Sequence, residues 1–233
     1  MRTSFWANLF DLIAPRTCTI CGRRLAASEQ TICVVCHLHL PLTHLETKPY
    51  DNVMARLFWG ILPVERAAAM FYYEPHSEVA RIIYDLKYHG QADIGIDMGQ
   101  MAARQFARSN FFEGIDAIVP VPLTRMRRWQ RGYNQSERIA RGVSLETGLP
   151  VYTDVVKRQR FDKSQTKNSA WERLDNVEGA FVLTDGSRIS GKHLLVVDDV
   201  VTTGATIKAC ALQLCQAGDV KISILSLGLT KTI

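Results

Sequence analysis

No stretch of the 233 residues stays apolar long enough to span a bilayer, so a helical membrane segment and stable membrane insertion are excluded. Internal repeats are absent, which removes solenoid and propeller architectures, and no low-complexity segment marks a disordered tail. No Gly-x-Gly-x-x-Gly follows a candidate strand, so a dinucleotide-binding fold has little to stand on. Residues 186–193 come close to a Walker A loop. However, His193 stands where a magnesium-binding hydroxyl is required, and the segment precedes a strand instead of following one, so it reads as a turn. A secretion signal is not expected at residues 5–13: Phe5, Trp6, Leu9, Phe10 and Ile13 suggest a short amphipathic helix, but Asn8 and Asp11 break the apolar run and no small-residue cleavage site follows. That helix has two readings, docking against the body of the protein or contact with a membrane surface. A cytoplasmic location is the expectation.

Cysteine is scarce, six residues in all, yet four of them fall into Cys18-x2-Cys21 and Cys33-x2-Cys36 with Gly22 after the first pair. Each pair can turn two thiolates onto one ion, and two such knuckles close a tetrahedral structural Zn²⁺ site. A pair of disulfides is the competing reading, disfavoured where secretion signals are lacking. His37 and His39 adjoin the second pair, but four thiolates already fill the shell. Cys210 and Cys215 read as core.

The remaining length, 47% hydrophobic and 22% charged, suffices for a full α/β core with a small appendage. Strands are expected at residues 67–73, 115–122, 151–156, 180–183, 193–197 and 220–227, and helices at 77–88, 93–108, 134–148 and 207–217. Their alternation predicts a mostly parallel sheet. Residues 40–63, with Pro41, Pro49 and Pro63 and weak periodicity, read as a linker. The division expected is 1–50 for the amphipathic helix and zinc module and 51–233 for the main domain.

Residues 194–206 run an apolar strand into Asp198, Asp199 and the loop Thr202, Thr203, Gly204, Ala205, Thr206. At the carboxyl end of a buried strand and the amino end of a helix, loop N–H groups converge on a phosphate, and the helix dipole favours its charge. Glycine allows close backbone approach. Two adjacent acids one step earlier are placed to accept hydrogen bonds from neighbouring ribose hydroxyls. A buried strand with two solvated acids and a capped helix explains the valines but not the ordered loop chemistry. The run resembles the signature of type I phosphoribosyltransferases, which bind 5-phosphoribosyl 1-pyrophosphate (PRPP) with Mg²⁺. By that resemblance Asp198 and Asp199 hold the ribose 2′- and 3′-hydroxyls and residues 202–206 wrap the 5′-phosphate.

The net charge of +5 is concentrated. Residues 124–141 hold six arginines (Arg125, Arg127, Arg128, Arg131, Arg138, Arg141) against Glu137, and residues 157–173 hold six cations against Asp162 and Glu172, which leaves the rest of the chain net acidic. Two basic segments on an acidic body call for an anionic partner. Trp129 and Tyr133 interleave with the first segment, as a stacking platform for a single strand requires. Packing of Tyr133 at the helix start beside solvated arginines is the other reading. The same arginines could also bind the pyrophosphate of PRPP.

The stretch from Val119-Pro120-Val121-Pro122-Leu123 to Arg131-Gly132-Tyr133-Asn134-Gln135-Ser136, together with Leu86-Lys87-Tyr88-x-Gly90, Gln165-Thr166, Arg173, Asn176, Ala180-Phe181 and the four-cysteine head, resembles the ComF (ComFC) competence-protein family. That resemblance covers nearly the whole chain. It implies an N-terminal zinc module on a phosphoribosyltransferase-like domain, single-stranded DNA and competence proteins as partners, and a role in natural transformation. Where the family begins the second basic segment Arg-Thr-Arg, this chain has Lys157-Arg158-Gln159-Arg160. Three functions share the PRPP motif: a DNA-handling accessory protein that binds PRPP, an active phosphoribosyltransferase, and a PRPP-responsive regulator. An enzyme needs a mobile loop, for which residues 157–168 qualify, and a base-recognising hood. No segment reads as a nucleobase pocket, and no residue is assigned a catalytic role.

Overall fold

The computed structural model describes residues 15–159 and 179–231; the amphipathic pattern of residues 5–13 and most of the expected loop at 157–168 lie outside them. Four strands, β1 (Val64–Tyr73), β2 (Ala117–Pro120), β5 (His193–Val201) and β6 (Lys221–Thr230), form a sheet in the order β1-β6-β5-β2, and all three pairings are parallel. β3 (Val156–Arg158) and β4 (Phe181–Leu183) pair antiparallel in a separate ribbon. The expected mostly parallel α/β architecture is what the chain adopts.

Successive side chains on a strand point to opposite faces, so a sheet covered on both sides splits its strands between two cores. Ala68, Met70, Leu195, Val197, Leu225 and Leu227 enter one core, and Ala67, Ala69, Leu194, Val196, Ile222 and Ile224 the other. Four helices, given in chain order as α3 (Ala80–Tyr88), α4 (Ala92–Ala107), α6 (Gln135–Thr147) and α7 (Ala205–Cys215), supply the cover, the first three on the first face and α7 on the second. α4 and α6 approach closely because glycines lie where they cross. A Cβ on Gly142 would stand 2.1 Å from the Ile96 carbonyl oxygen, and one on Gly99 would stand 2.3 Å from that of Ile139.

The cysteine head packs on the first core. Cys18, Ile20, Leu25, Ile32 and Cys33 are buried with Ile82, Ile83 and Met98, and two polar ties fasten it: Arg81 donates to the Ile20 carbonyl at 2.9 Å, and the Thr31 hydroxyl donates to Asp97 at 2.6 Å. Helix α1 (Val34–Leu38) carries the last cysteine of the cluster, Cys36.

Two expectations are corrected. The proline-containing segment 40–63 is not a linker: it runs along the free edge of β1, where Tyr72 N–H donates to the Pro41 carbonyl at 2.8 Å and Ala67 N–H to the Pro49 carbonyl at 2.9 Å. It includes the short helix α2 (Val53–Arg56), whose N-cap Asn52 also donates to the Ala67 carbonyl at 2.8 Å. An edge strand must have its backbone groups covered, and that need is invisible to periodicity. The strand expected at 151–156 is likewise displaced. Only Val151 bridges the sheet, beside Ile118, and the strand proper begins at Val156 with a different partner. A short apolar run says that backbone will be buried, not which strand it will pair with.

Candidate functional site

β5 ends in the sequence Asp198-Asp199-Val200-Val201, and the chain then turns through Thr202 and Thr203 into α7. Gly204 is the N-cap of α7 at φ +75°, a left-handed conformation that side chains disfavour. A Cβ there would also meet the Phe58 ring at 3.0 Å, so both the turn and the packing beneath it require glycine. The Thr203 hydroxyl accepts from the Ala205 N–H at 3.4 Å, and by helix geometry the remaining first-turn amides have no intrahelical acceptor. Together, Asp198 and residues 200–207 line a cavity of about 40 Å³. The loop and Asp198 thus meet at one small concavity at the positive end of a helix, with Asp199 next to Asp198 on the strand.

The acids are held by three elements. Asp198 is partly buried; its Oδ1 accepts the Ser136 hydroxyl at 2.9 Å, a residue of the first turn of α6, and the Asp199 N–H at 2.9 Å. Asp199 is 4% exposed, and its Oδ1 lies 3.0 Å from Nζ of Lys87 on α3. Its Oδ2 is buried without a hydrogen-bond partner among the described residues. Such an atom costs stability until a donor reaches it. Lys87 and Ser136 both lie in stretches that resemble the competence family, but sequence alone gave neither a role.

The arginine-rich segment forms α5 (Arg125–Arg131), capped at its start by the Thr124 hydroxyl and at its end by Gly132 at φ +78°. It follows the carboxyl end of β2, the neighbour of β5, so the topology brings it to the same edge of the sheet as the loop. None of its residues is buried, and Trp129 is 85% exposed. Arg128 pairs with Glu137 at 3.3 Å, and the Arg131 guanidinium lies over the Tyr88 ring. Tyr133 is half-buried, and its hydroxyl donates to the Leu86 carbonyl at 2.6 Å. Arg158, on β3, is partly buried over the Phe181 ring; burial first, then the nearby Arg127 charge, depresses its guanidinium, while Asp198 acts in the opposite sense. One cation of the second basic segment therefore lies close enough to feel both Arg127 of α5 and Asp198.

At the head, the sulfurs of Cys18, Cys21, Cys33 and Cys36 lie within 4.8 Å of one another and could hold a metal ion. All six cysteines are free of disulfides. A tetrahedral ion with bonds of about 2.3 Å to sulfur needs sulfur–sulfur edges of about 3.8 Å. Cys21 and Cys33 stand 3.8 Å apart. Burial raises the Cys18 thiol, but backbone N–H groups at Cys21, Cys33 and Ile20 outweigh it and bring it down to about 7. Cys36 is pushed up by burial and by the neighbouring sulfurs. Four crowded sulfurs resist ionising together unless a cation balances them. Cys210 is buried in the second core and Cys215 partly buried beside it.

The Asp198 carboxyl is pushed up to about 7, first by burial and then by the Asp199 charge, against its two hydrogen bonds and the Lys87 charge. Its value in an unfolded chain is far lower, so the folded state binds the proton more tightly, and stability falls as pH rises from about 4 to about 7, then levels. Asp198→Asn removes that loss. Its melting temperature should exceed the parent's by several degrees near pH 8 and by clearly less near pH 5; equal differences at both pH values in thermal scans would refute the account of the buried pair.

No protein-family model matches the chain. Among curated proteins, it is 28% identical over 215 residues to DNA utilization protein YhgH of Escherichia coli O6:H1, covering 89% of this chain and 87% of that one. It is 32% identical over 125 residues to competence protein F of Haemophilus influenzae, covering 53% and 55% of the two chains. Among solved structures it is similar to a glutamine PRPP amidotransferase from B. subtilis complexed with ADP and GMP, with a TM-score of 0.40 and 19% identity, over 60% of this chain and 30% of that longer one. The chain is thus similar along most of its length to the YhgH proteins and over about half of it to competence protein F, and it combines a mostly parallel α/β fold with a four-cysteine cluster in its N-terminal region.

Proposed function

We propose that this protein binds PRPP with Mg²⁺ at Asp198, Asp199 and the 202–206 loop and handles single-stranded DNA as an accessory to DNA uptake or use. The observation that carries the first half is the acidic pair. Asp199 keeps one buried oxygen without a donor among the described residues while Lys87 occupies the other, and burial together with the Asp199 charge pushes the Asp198 carboxyl beside it up. Two adjacent ribose hydroxyls supply donors for both acids, and the neighbouring α7 amides and threonine hydroxyls suit a phosphate. The second half draws on the exposed arginines of α5 at the same sheet edge and on the names of the relatives, one a DNA utilization protein and one a competence protein.

Calorimetric titration with PRPP and Mg²⁺ tests the site. Asp199→Asn should lower affinity on the order of ten- to a hundred-fold, the loss of a charge-assisted hydrogen bond worth about 1.5 to 3 kcal/mol. Equal affinity in variant and parent would sink the ribose assignment. Release of pyrophosphate in the same mixtures would mark a transferase; its absence with intact binding would mark an accessory protein or a PRPP-responsive regulator.

If Arg125, Arg127, Arg128 and Arg131 neutralise about four phosphates of a single strand, log affinity should fall against log salt with a slope of about −3. Reversing the charge of two of these arginines should flatten the slope by about one to two units. A slope unchanged by the reversals would remove α5 from the interface. Undiminished PRPP affinity in the same variants would show that these arginines do not serve the pyrophosphate.

We assign zinc to the four-cysteine cluster because its donors are four thiols whose sulfurs lie within 4.8 Å of one another, one pair at the tetrahedral edge length, a soft set that suits that ion. Metal analysis of the purified protein should find about one zinc per chain, and Cys21→Ser should lose it. Full zinc content in that variant would overturn the assignment.

A further inference from the structure

Helix α3 sends Ala80, Ile82, Ile83 and Leu86 into the core. Its outer side leaves Tyr84 and Tyr88, one turn apart, 54% and 62% exposed. A single exposed tyrosine needs no explanation. Here two lie ring beside ring, with centroids 5.0 Å apart and planes inclined by 46°, and the His89 ring stands edge-on to Tyr84, also at 5.0 Å. The guanidinium of Arg131, the last residue of α5, lies 5.5 Å from the centre of the Tyr88 ring. The turn between α5 and α6 is fastened to the end of α3 by the Tyr133 hydroxyl on the Leu86 carbonyl, so this junction of arginine helix and aromatic face is built into the fold.

The charge around the patch is mixed but tips positive: Asp85 is hydrogen-bonded to His89 at 2.7 Å, Glu137 pairs with Arg128 at 3.3 Å and Asp93 opens α4 nearby, against Arg125, Arg127, Arg128 and Arg131 on α5. Aromatic faces bordered by guanidinium groups suit a polyanion that carries its own exposed rings. A duplex hides its bases in the stack, whereas a single strand offers every base face to an aromatic side chain. A protein partner of ordinary composition would meet uncompensated arginines at its rim, at a cost in specificity and desolvation.

We propose that Tyr84 and Tyr88 are a base-stacking platform for single-stranded DNA, with Arg131 bridging it to the phosphate-tracking arginines of α5. The proposal rests on the DNA-handling reading and adds a second helix to its footprint. Both tyrosines are more than half exposed, so their removal takes little from the core.

The test is fluorescence anisotropy with a labelled oligothymidylate over a range of salt concentrations, on the full chain, with PRPP titrations in parallel. The Tyr84→Ala/Tyr88→Ala variant should bind about 5- to 150-fold more weakly at every salt concentration, from stacking worth about 1 to 3 kcal/mol per base, with the salt slope and PRPP affinity unchanged. Tyr84→Phe/Tyr88→Phe should bind as the parent does, because a base stacks on the ring and not on the hydroxyl. Parent-like binding by the alanine variant would overturn the platform and leave the α5 reading standing; a parent that binds no oligothymidylate at low salt would overturn both. Loss of self-association in the alanine variant with DNA binding intact, seen by sedimentation, would reassign the patch as a contact between copies of the chain.

Discussion

Two carboxylates side by side at the end of a buried strand repel each other and lose hydration together, and much of the architecture around Asp198 and Asp199 exists to hold them there. Lys87 comes from α3, the Ser136 hydroxyl from the first turn of α6, and the Asp199 N–H from the strand itself. None of these donors is near the acids in sequence except the last. The helices carrying them must therefore be seated to within a hydrogen-bond length, which the core beneath α3, α4 and α6 achieves by letting Gly99 and Gly142 bring two helix backbones into contact. Even so, Asp199 retains a buried oxygen with no partner among the described residues, an arrangement that packing alone does not reward.

The parallel sheet places chemistry at one edge. β5 and β2 are neighbours running the same way, so the segments that leave their carboxyl ends, the 202–206 loop and α5, emerge side by side although about eighty residues separate them in sequence. α7 turns its amino end to that edge. The cysteine head lies against the outer side of the first core, held by Arg81 on α3 and Asp97 on α4. α3 thus touches the head with Arg81, the acidic pair with Lys87 and the arginine helix through Tyr88.

What could be read in the sequence was whatever has a short-range pattern. The apolar run before Asp198, the Gly148 stop after α6 and the two Cys-x2-Cys pairs each occupy a dozen residues or fewer, and each stands in the structure where the pattern put it. Helix α4 was legible to within a residue at each end because a single stripe of Ile94, Met98, Ala102 and Phe106 repeats at helical spacing. What escaped is long-range. The edge cover by residues 40–63 answers a demand set by β1, and the partners of the acids come from positions 87 and 136 with no local mark of their purpose. Tyr84 and Tyr88 escaped for a related reason. On a helix with a clear apolar stripe, two aromatic residues off that stripe look like variation until the structure shows Arg131 arriving over one of them.

The position of α3 also constrains how the proposed ligands act on each other. Lys87 lies between Tyr84 and Tyr88 in sequence, and its ammonium reaches the acid while the rings on either side of it remain at the surface. A helix this short moves as one body, because its hydrogen bonds and its four core residues tie the turns together. A single strand stacked on the two tyrosines would bear on the same helix that sets the Lys87–Asp199 separation, and ribose hydroxyls arriving at Asp199 would compete with or reinforce that ion pair. Whatever factor one ligand imposes on the affinity of the other must be returned in full, since coupling between two binding equilibria is reciprocal. Under the proposed binding of both ligands, the effect of PRPP on the strand turns on one local preference: if Lys87 stays on Asp199 when ribose is bound, as it stands in the structure, α3 is unchanged and no coupling passes through it; if ribose displaces Lys87, the released ammonium becomes a further cation beside the strand and the coupling is positive.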